Sequence, residues 1–104
     1  MEIQQIRNEL ENLPDLIWSA EWDYREAKAE ENHMQDLKKV VLSHLKTKFY
    51  GTNADKETLA ISSPKYQLHL DGLKESALDT GRKEARFHNL QNKFEAMRSL
   101  NKNV

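Results

Sequence analysis

Two long stretches of helical periodicity, separated by a short punctuated break, constrain this chain more than any other feature. The first runs from about residue 15 to residue 50 and stops at Gly51. The second runs from about 64 to 101 and is announced by Ser62, Ser63 and Pro64. Each is about 36 residues, or ~54 Å of helix at 1.5 Å per residue, against a usual helix of about 11–12 residues. In a chain of 104 residues, two such rods leave no room for a cleft-bearing globule. The expected fold is all-α and coiled-coil-like. It is an elongated antiparallel hairpin forming one helical domain, with a short helix over 2–12, long helices over 15–50 and 64–101, and a connector over 51–63.

The periodicity also fixes which side chains should turn inward. Ile17, Ala20, Tyr24, Ala27, Glu31, Met34, Lys38, Val41, Leu45 and Lys48 alternate by four and three, the spacing of a heptad seam. Glu31 and Lys38 interrupt it; either their stems lie along the seam edge or they set register. In the second helix the corresponding line is Tyr66, Leu70, Leu73, Ala77, Thr80, Glu84, Phe87, Gln91, Phe94 and Arg98, flanked by Leu90 and Met97. Ahead of both, Ile3, Ile6, Leu10 and Leu13 sit at helical spacing. Pro14 then disfavours helix at Leu13 and suits the first turn of a new helix, unless the short helix runs on with a kink. Gly51 fits the left-handed residue just past a helix end, with Lys46 and Lys48 complementing the dipole. Ser63 and Pro64 read as N-cap and first helical residue. Within the connector, residues 55–61 have the makings of one or two helical turns. Gly72 and Gly81 lie inside the second pattern, each at a cost of about 1 kcal/mol against Ala; Gly81 would serve a close helix approach or a kink.

A thin hydrophobic stripe makes a lone hairpin marginal, so a homo-oligomer is expected. There is no Cys, which removes disulfides, thiol chemistry and cysteine metal sites. No apolar run is long enough to span a membrane, and the first residues lack the pattern of a signal peptide. The expected location is therefore cytoplasmic, in a cell or in the host of a virus. The net charge of −1 hides an asymmetry: residues 1–31 hold nine acids and three bases, a balance of −6, and the remainder balances at +5. Such a division suits head-to-tail contact between copies, or an anionic partner at the basic part.

His33, His44, His69 and His88 show no metal-binding spacing, and no glycine loop is present to cradle phosphate. The many carboxylates fall on helix faces beside matched bases, as in Glu21 with Arg25. An enzyme is not expected, nor a cofactor or metal. Trp18 and Trp22 share a helix face and read as a protein interface, packed on the short helix or on a neighbouring subunit; the acids around them oppose a role in stacking on nucleic-acid bases. Lys38, Lys39, Lys46 and Lys48 precede Phe49 and Tyr50, while Lys56 and Lys65 lie in and just after the connector. A hairpin turning there would gather them at one end. Lysines tracking phosphates beside rings that stack on bases are what a single-stranded nucleic-acid surface needs. A second basic cluster, Arg82, Lys83 and Arg86, lies midway along the second helix.

With these residues in place, the stretch from Ala20 to Ser99 resembles the UvsY-type recombination mediators of phages. The likeness rests on Tyr24 and Ala27, on the basic–aromatic run from His44 to Gly51, on the run from Ser63 to Ala77, and on the closing Phe94 to Ser99. Relative to that pattern the connector is shorter and the C-terminal tail curtailed. The resemblance implies a non-catalytic, oligomeric helical protein that binds single-stranded DNA. Such a protein would help a RecA-family recombinase displace a single-strand-binding protein, with the family's basic pair falling on Lys46 and Lys48. The alternative is a structural or inhibitory module that docks its helices on another protein, with Trp18 and Trp22 as anchors and no part for nucleic acid.

Overall fold

The computed structural model describes residues 2–103. Nearly all of them lie in three helices: α1 (Ile3–Lys46), α2 (Asn53–Ile61) and α3 (Pro64–Lys102). Among the described residues, no helix is long and apolar enough to cross a membrane.

α1 corrects the expected break after residue 12, because it continues through Pro14 without interruption. The reason lies in phase. Ile6, Leu10 and Leu13 lead into Ile17, Ala20, Tyr24 and Ala27 with the four–three alternation unbroken, and every one is buried or half-buried. Pro14 falls between two of these positions and is itself exposed. A proline inside a helix costs about 3 kcal/mol. Full burial of one Ile or Leu is worth roughly 1.5–3 kcal/mol, and Ile6 and Leu13 are both fully buried, so continuity wins.

α3 departs from its expected seam in its second half. Ala77, Gln91 and Arg98 are exposed, while Ser76, Leu90 and Met97 turn inward. The inner line steps from Leu70 to Leu73 to Ser76, two threes in succession, and then resumes alternation. This is a stammer in the heptad phase. It carries the buried stripe round the helix, so that Leu90 and Met97 are covered instead of Gln91 and Arg98.

The chain divides into two compact units. One contains the segment through Ala27 together with the segment from Thr80 onward. Its core is Ile6, Leu13 and Met97, with Leu10, Ile17, Leu90 and Phe94 packed around them. Polar contacts fasten α1 to α3 in this unit: Lys93 Nζ to Glu9 at 3.1 Å, Arg86 to Asp23 at 3.4 Å, and the buried Thr80 hydroxyl donating to the Ala27 carbonyl at 3.2 Å. The Tyr24 and Phe87 rings stack with centroids 6.2 Å apart.

The other unit is Lys28–Asp79, which holds all of α2. Its core is Leu45, Ala60 and Tyr66, with Val41, Leu42, Phe49 and Leu70 against them. Further along α1 in this unit, His69 Nε2 lies 3.0 Å from the Met34 carbonyl oxygen. A carbonyl only accepts, so Nε2 carries the proton. Gly72 sits against the end of Met34, where an added Cβ would lie 3.0 Å from its Cε. Gly81, by contrast, has nothing within 4 Å of where a Cβ would stand, so it serves no close approach.

Candidate nucleic-acid interface

The end of the Lys28–Asp79 unit, where α1 gives way to α2 and α3, holds most of the predicted nucleic-acid residues. The regular helix stops at Lys46, four residues before the expected Tyr50. The N–H groups of Thr47, Lys48 and Phe49 bond three residues back, to the carbonyls of His44, Leu45 and Lys46, at 3.1–3.3 Å. The Thr47 hydroxyl also donates to the His44 carbonyl at 2.6 Å. Such i→i+3 bonding tightens the last turn. It brings Phe49 onto the Leu45–Ala60–Tyr66 core, an apolar gain that a continued α-helix would forgo.

Gly51 then takes φ +118°, a conformation open to glycine and strained for other residues. It delivers Thr52 as the N-cap of α2. The Thr52 hydroxyl accepts from the Asp55 N–H at 3.2 Å, and the Asp55 carboxylate accepts from the Thr52 N–H at 3.3 Å, closing a capping box. At the far end of α2, three side chains satisfy the final carbonyls. Ser62 donates to Thr58 at 2.9 Å, Ser63 to Ala60 at 2.7 Å, and the Gln67 amide to Ile61 at 2.8 Å. The Ser63 oxygen also accepts from the Tyr66 N–H at 3.3 Å. One hydroxyl therefore ends α2 and caps α3, and Lys65 is held in the first turn of α3.

This arrangement sets Lys65 beside Lys48. Hydrogen bonding from Lys65 favours the neutral Lys48 amine, and the Lys65 charge repels the charged one. Together with slight desolvation, these hold the Lys48 pKa below the ordinary lysine value. Both side chains belong to exposed residues. Two residues after Lys48, Tyr50 is 94 % exposed.

The remaining predicted residues divide. Phe49 is part of the core packing, so it closes the end of the unit and does not offer the stacking face expected of it. Lys46 is half-buried on the last turn of α1, and Lys56 is half-buried on α2. Lys38 is half-buried at a seam position, where its stem covers apolar surface. Lys38 and Lys39 precede Lys46 by about two turns, or ~12 Å along the helix, so they stand apart from Lys48 and Lys65. Lys39 instead borders a shallow groove with Val40, Ser43, His44 and Thr47. Val40 is 60 % exposed there. Of those four, only His44 was named in the sequence; the available signal for the groove was an apolar Val40 lying off the seam.

Trp18 and Trp22, expected to pack on a short first helix or on a neighbouring subunit, do not pack into this chain's core. They are 69 % and 55 % exposed and stack on each other with centroids 6.3 Å apart at 10°. The Trp22 indole N–H donates to Glu26 at 2.9 Å. The reason they fail to pack inward is the unbroken α1: with no separate short helix to fold back, this face has nothing of its own to meet. Beside Trp18, a groove of about 500 Å³ is lined by Pro14, Ile17 and Phe94, with Glu21 and Glu95 among its polar members. Among the described residues, no group of three or more His, Asp or Glu is placed to hold a metal ion.

No protein-family model matches the chain, and neither the curated proteins nor the solved structures include a significant match.

Proposed function

We propose that this chain is a non-catalytic single-stranded DNA-binding protein that acts as a homo-oligomeric recombination mediator. In this reading it helps a RecA-family recombinase displace a single-strand-binding protein. The observation that carries the DNA-binding part is the exposure of Tyr50 just past the basic end of α1, where Lys48 is exposed too and the charge of Lys65 holds its pKa down. The charge of Lys65 disfavours the charged form of Lys48, and a bound anion would offset that repulsion. A phosphodiester is such an anion, and a tyrosine ring one step away offers a stacking surface to the adjoining base. Lys46 and Lys56 supply further positive charge at the same end. The part concerning recombinase loading rests on the resemblance of residues 20–99 to UvsY-type mediators. The pairings inside each unit, Glu9 with Lys93 and Leu45 with Tyr66, support the antiparallel hairpin as its frame.

The test is anisotropy of a fluorescent single-stranded oligonucleotide at two salt concentrations. The expected result is salt-sensitive binding. Lys48→Ala with Lys65→Ala should reduce the log–log salt slope by about 1.4, at roughly 0.7 per phosphate contact on a single strand. Absence of binding at low salt overturns the reading.

A second reading has its own observation. Trp18 and Trp22 are large, stacked and exposed, as anchors of a protein interface are. In that case the protein docks on a partner through this face, and substitution of the tryptophans abolishes capture while the lysine pair is dispensable.

A further inference from the structure

We infer that the face of α1 carrying Asp15, Trp18, Trp22 and Arg25 is the contact for a second copy of this chain, with the two α1 helices antiparallel and a twofold axis passing between Trp18 and Trp22. The inference rests on the homo-oligomeric part of the proposed function and is independent of DNA binding.

The four residues follow one another at steps of three, four and three, which keeps them on one side of a helix. They form a single line because α1 runs through Pro14 unbroken. The line faces away from the unit's own core. Trp18 and Trp22 are 69 % and 55 % exposed, and Asp15 and Arg25 are exposed as well.

The spacing of this line is the same in both directions, and its two ends carry opposite charges. Laid antiparallel on itself, it sets Trp18 of each copy against Trp22 of the other, and Asp15 of each against Arg25 of the other. Such a contact is isologous and closes at two copies. A parallel alignment would instead set Asp15 on Asp15 and Arg25 on Arg25. The line therefore complements its own reverse, and the charged ends fix orientation and register.

The surroundings permit this. Residues 1–27 and 80–104, which make up the unit, hold nine acids and eight bases, a balance of −1, so two copies meet without net repulsion. Asp15 forms no salt bridge among the described residues. Arg25 uses Nε and Nη2 on Glu21, which leaves Nη1 for a second carboxylate. The Trp22 indole N–H already donates to Glu26 at 2.9 Å, so that ring can be covered without stranding its donor. At about 150–250 Å² per buried aromatic side chain, the four rings of a pair have roughly 400–600 Å² left to cover. That is a third to a half of the about 1,200 Å² that the smallest specific interfaces bury. With the charged ends added, the contact suits a dimer that separates on dilution.

The experiment uses the full chain without DNA, with mass measured by sedimentation equilibrium and helicity by circular dichroism. The wild type should pass from monomer to dimer with rising concentration, and its tryptophan emission should shift to the blue as it does so. Trp22→Ala should raise the dissociation constant roughly thirtyfold, as loss of a central anchor does. Asp15→Arg and Arg25→Glu, each alone, should be monomeric at wild-type helicity, because each sets like charges against each other at both ends of the contact. An equimolar mixture of these two variants should dimerise, since every Arg then meets an acid, and Asp15→Arg with Arg25→Glu in one chain should restore the homodimer. A foreign protein partner predicts none of this rescue. Both charge variants should bind a single-stranded oligonucleotide as the wild type does; if no oligonucleotide binds any of them, the DNA reading fails and the mixing result still decides the contact. A wild type that stays monomeric overturns the inference together with the homo-oligomeric reading. Single variants that still assemble, or a mixture that stays monomeric, overturn the inference alone.

Discussion

The two units use charge in opposite ways. In the unit built from the chain's two ends, oppositely charged side chains reach from one helix to the other, Glu9 to Lys93 and Asp23 to Arg86, around a core of Ile6, Leu13 and Met97. In the Lys28–Asp79 unit, the end that holds the core also sets like charges against each other, with Lys65 holding the Lys48 pKa below the ordinary lysine value. Exposed opposite pairs contribute little, about 0–1 kcal/mol, so neither arrangement decides the fold. The contrast teaches where to look for function. Like charges placed together do nothing for the stability of the free chain and make sense when an anion arrives.

Substitutions in the two units should break or sharpen that contrast. The largest effect belongs to Leu13→Ala, which empties a fully buried position and should cost about 2–5 kcal/mol, read by urea unfolding. Amide exchange should show the loss of protection in the unit that contains Leu13. Next comes Gly51→Ala in the other unit. With φ at +118° and Asp55 Oδ2 3.1 Å from the new Cβ, it should destabilise by about 1–2 kcal/mol, loosening the α1–α2 corner that presents Tyr50. Gly81→Ala should act in the other direction and stabilise by about 1 kcal/mol, since the added methyl meets nothing. Gly72→Ala should gain less, because Met34 must move aside.

The smallest effect concerns pH. The folded-state pKa of Lys48 lies below its unfolded value, so between the two the unfolded chain binds the extra proton and stability rises with pH. The rise should start from Lys48's lowered pKa and end near the ordinary lysine value. Lys48→Ala should flatten it in thermal melts taken across that range. The same titration should weaken oligonucleotide binding, because the neutral amine no longer attracts phosphate.

Much of this architecture was legible in the spacing of apolar residues. From Ile17 to Leu45 the inward positions of α1 are those the heptad marks, with Glu31 and Lys38 half-buried among them. Ser63 caps and Pro64 opens α3 as their chemistry requires. Two local rules misled for lack of weight against the pattern. The proline rule set a boundary at Pro14, although Ile6, Leu10 and Leu13 are already in phase with Ile17. The glycine rule extended α1 to Tyr50, although Phe49 had an apolar core to reach.

In α3 the stammer was invisible from Tyr66 onward, because Ala77 and Ser76 are both small enough for either place. Only the larger Leu90 and Met97 decide the matter downstream. The basic end was legible as composition, but not the approach of Lys48 to Lys65. That depends on the turn between α2 and α3, whose geometry lies in serine hydroxyls and not in hydrophobic period. The mutual stacking of Trp18 and Trp22 follows from their i,i+4 spacing, whereas their exposure follows from the absence of a folded-back helix.

The corner where α2 meets α3 also bears on how the chain finds its structure. Its polar ties join residues no more than six apart: Thr58 with Ser62, Ala60 with Ser63, Ile61 with Gln67. Closing such small loops costs little chain entropy, and contacts of short sequence separation form fast. The pairings of Glu9 with Lys93 or Ile6 with Met97 span most of the chain. The corner is thus the natural first structure in folding, and Ser63→Ala should slow refolding, with unfolding changed little. The Ser63 hydroxyl would then steer the order of events as well as the place where Lys65 comes to rest.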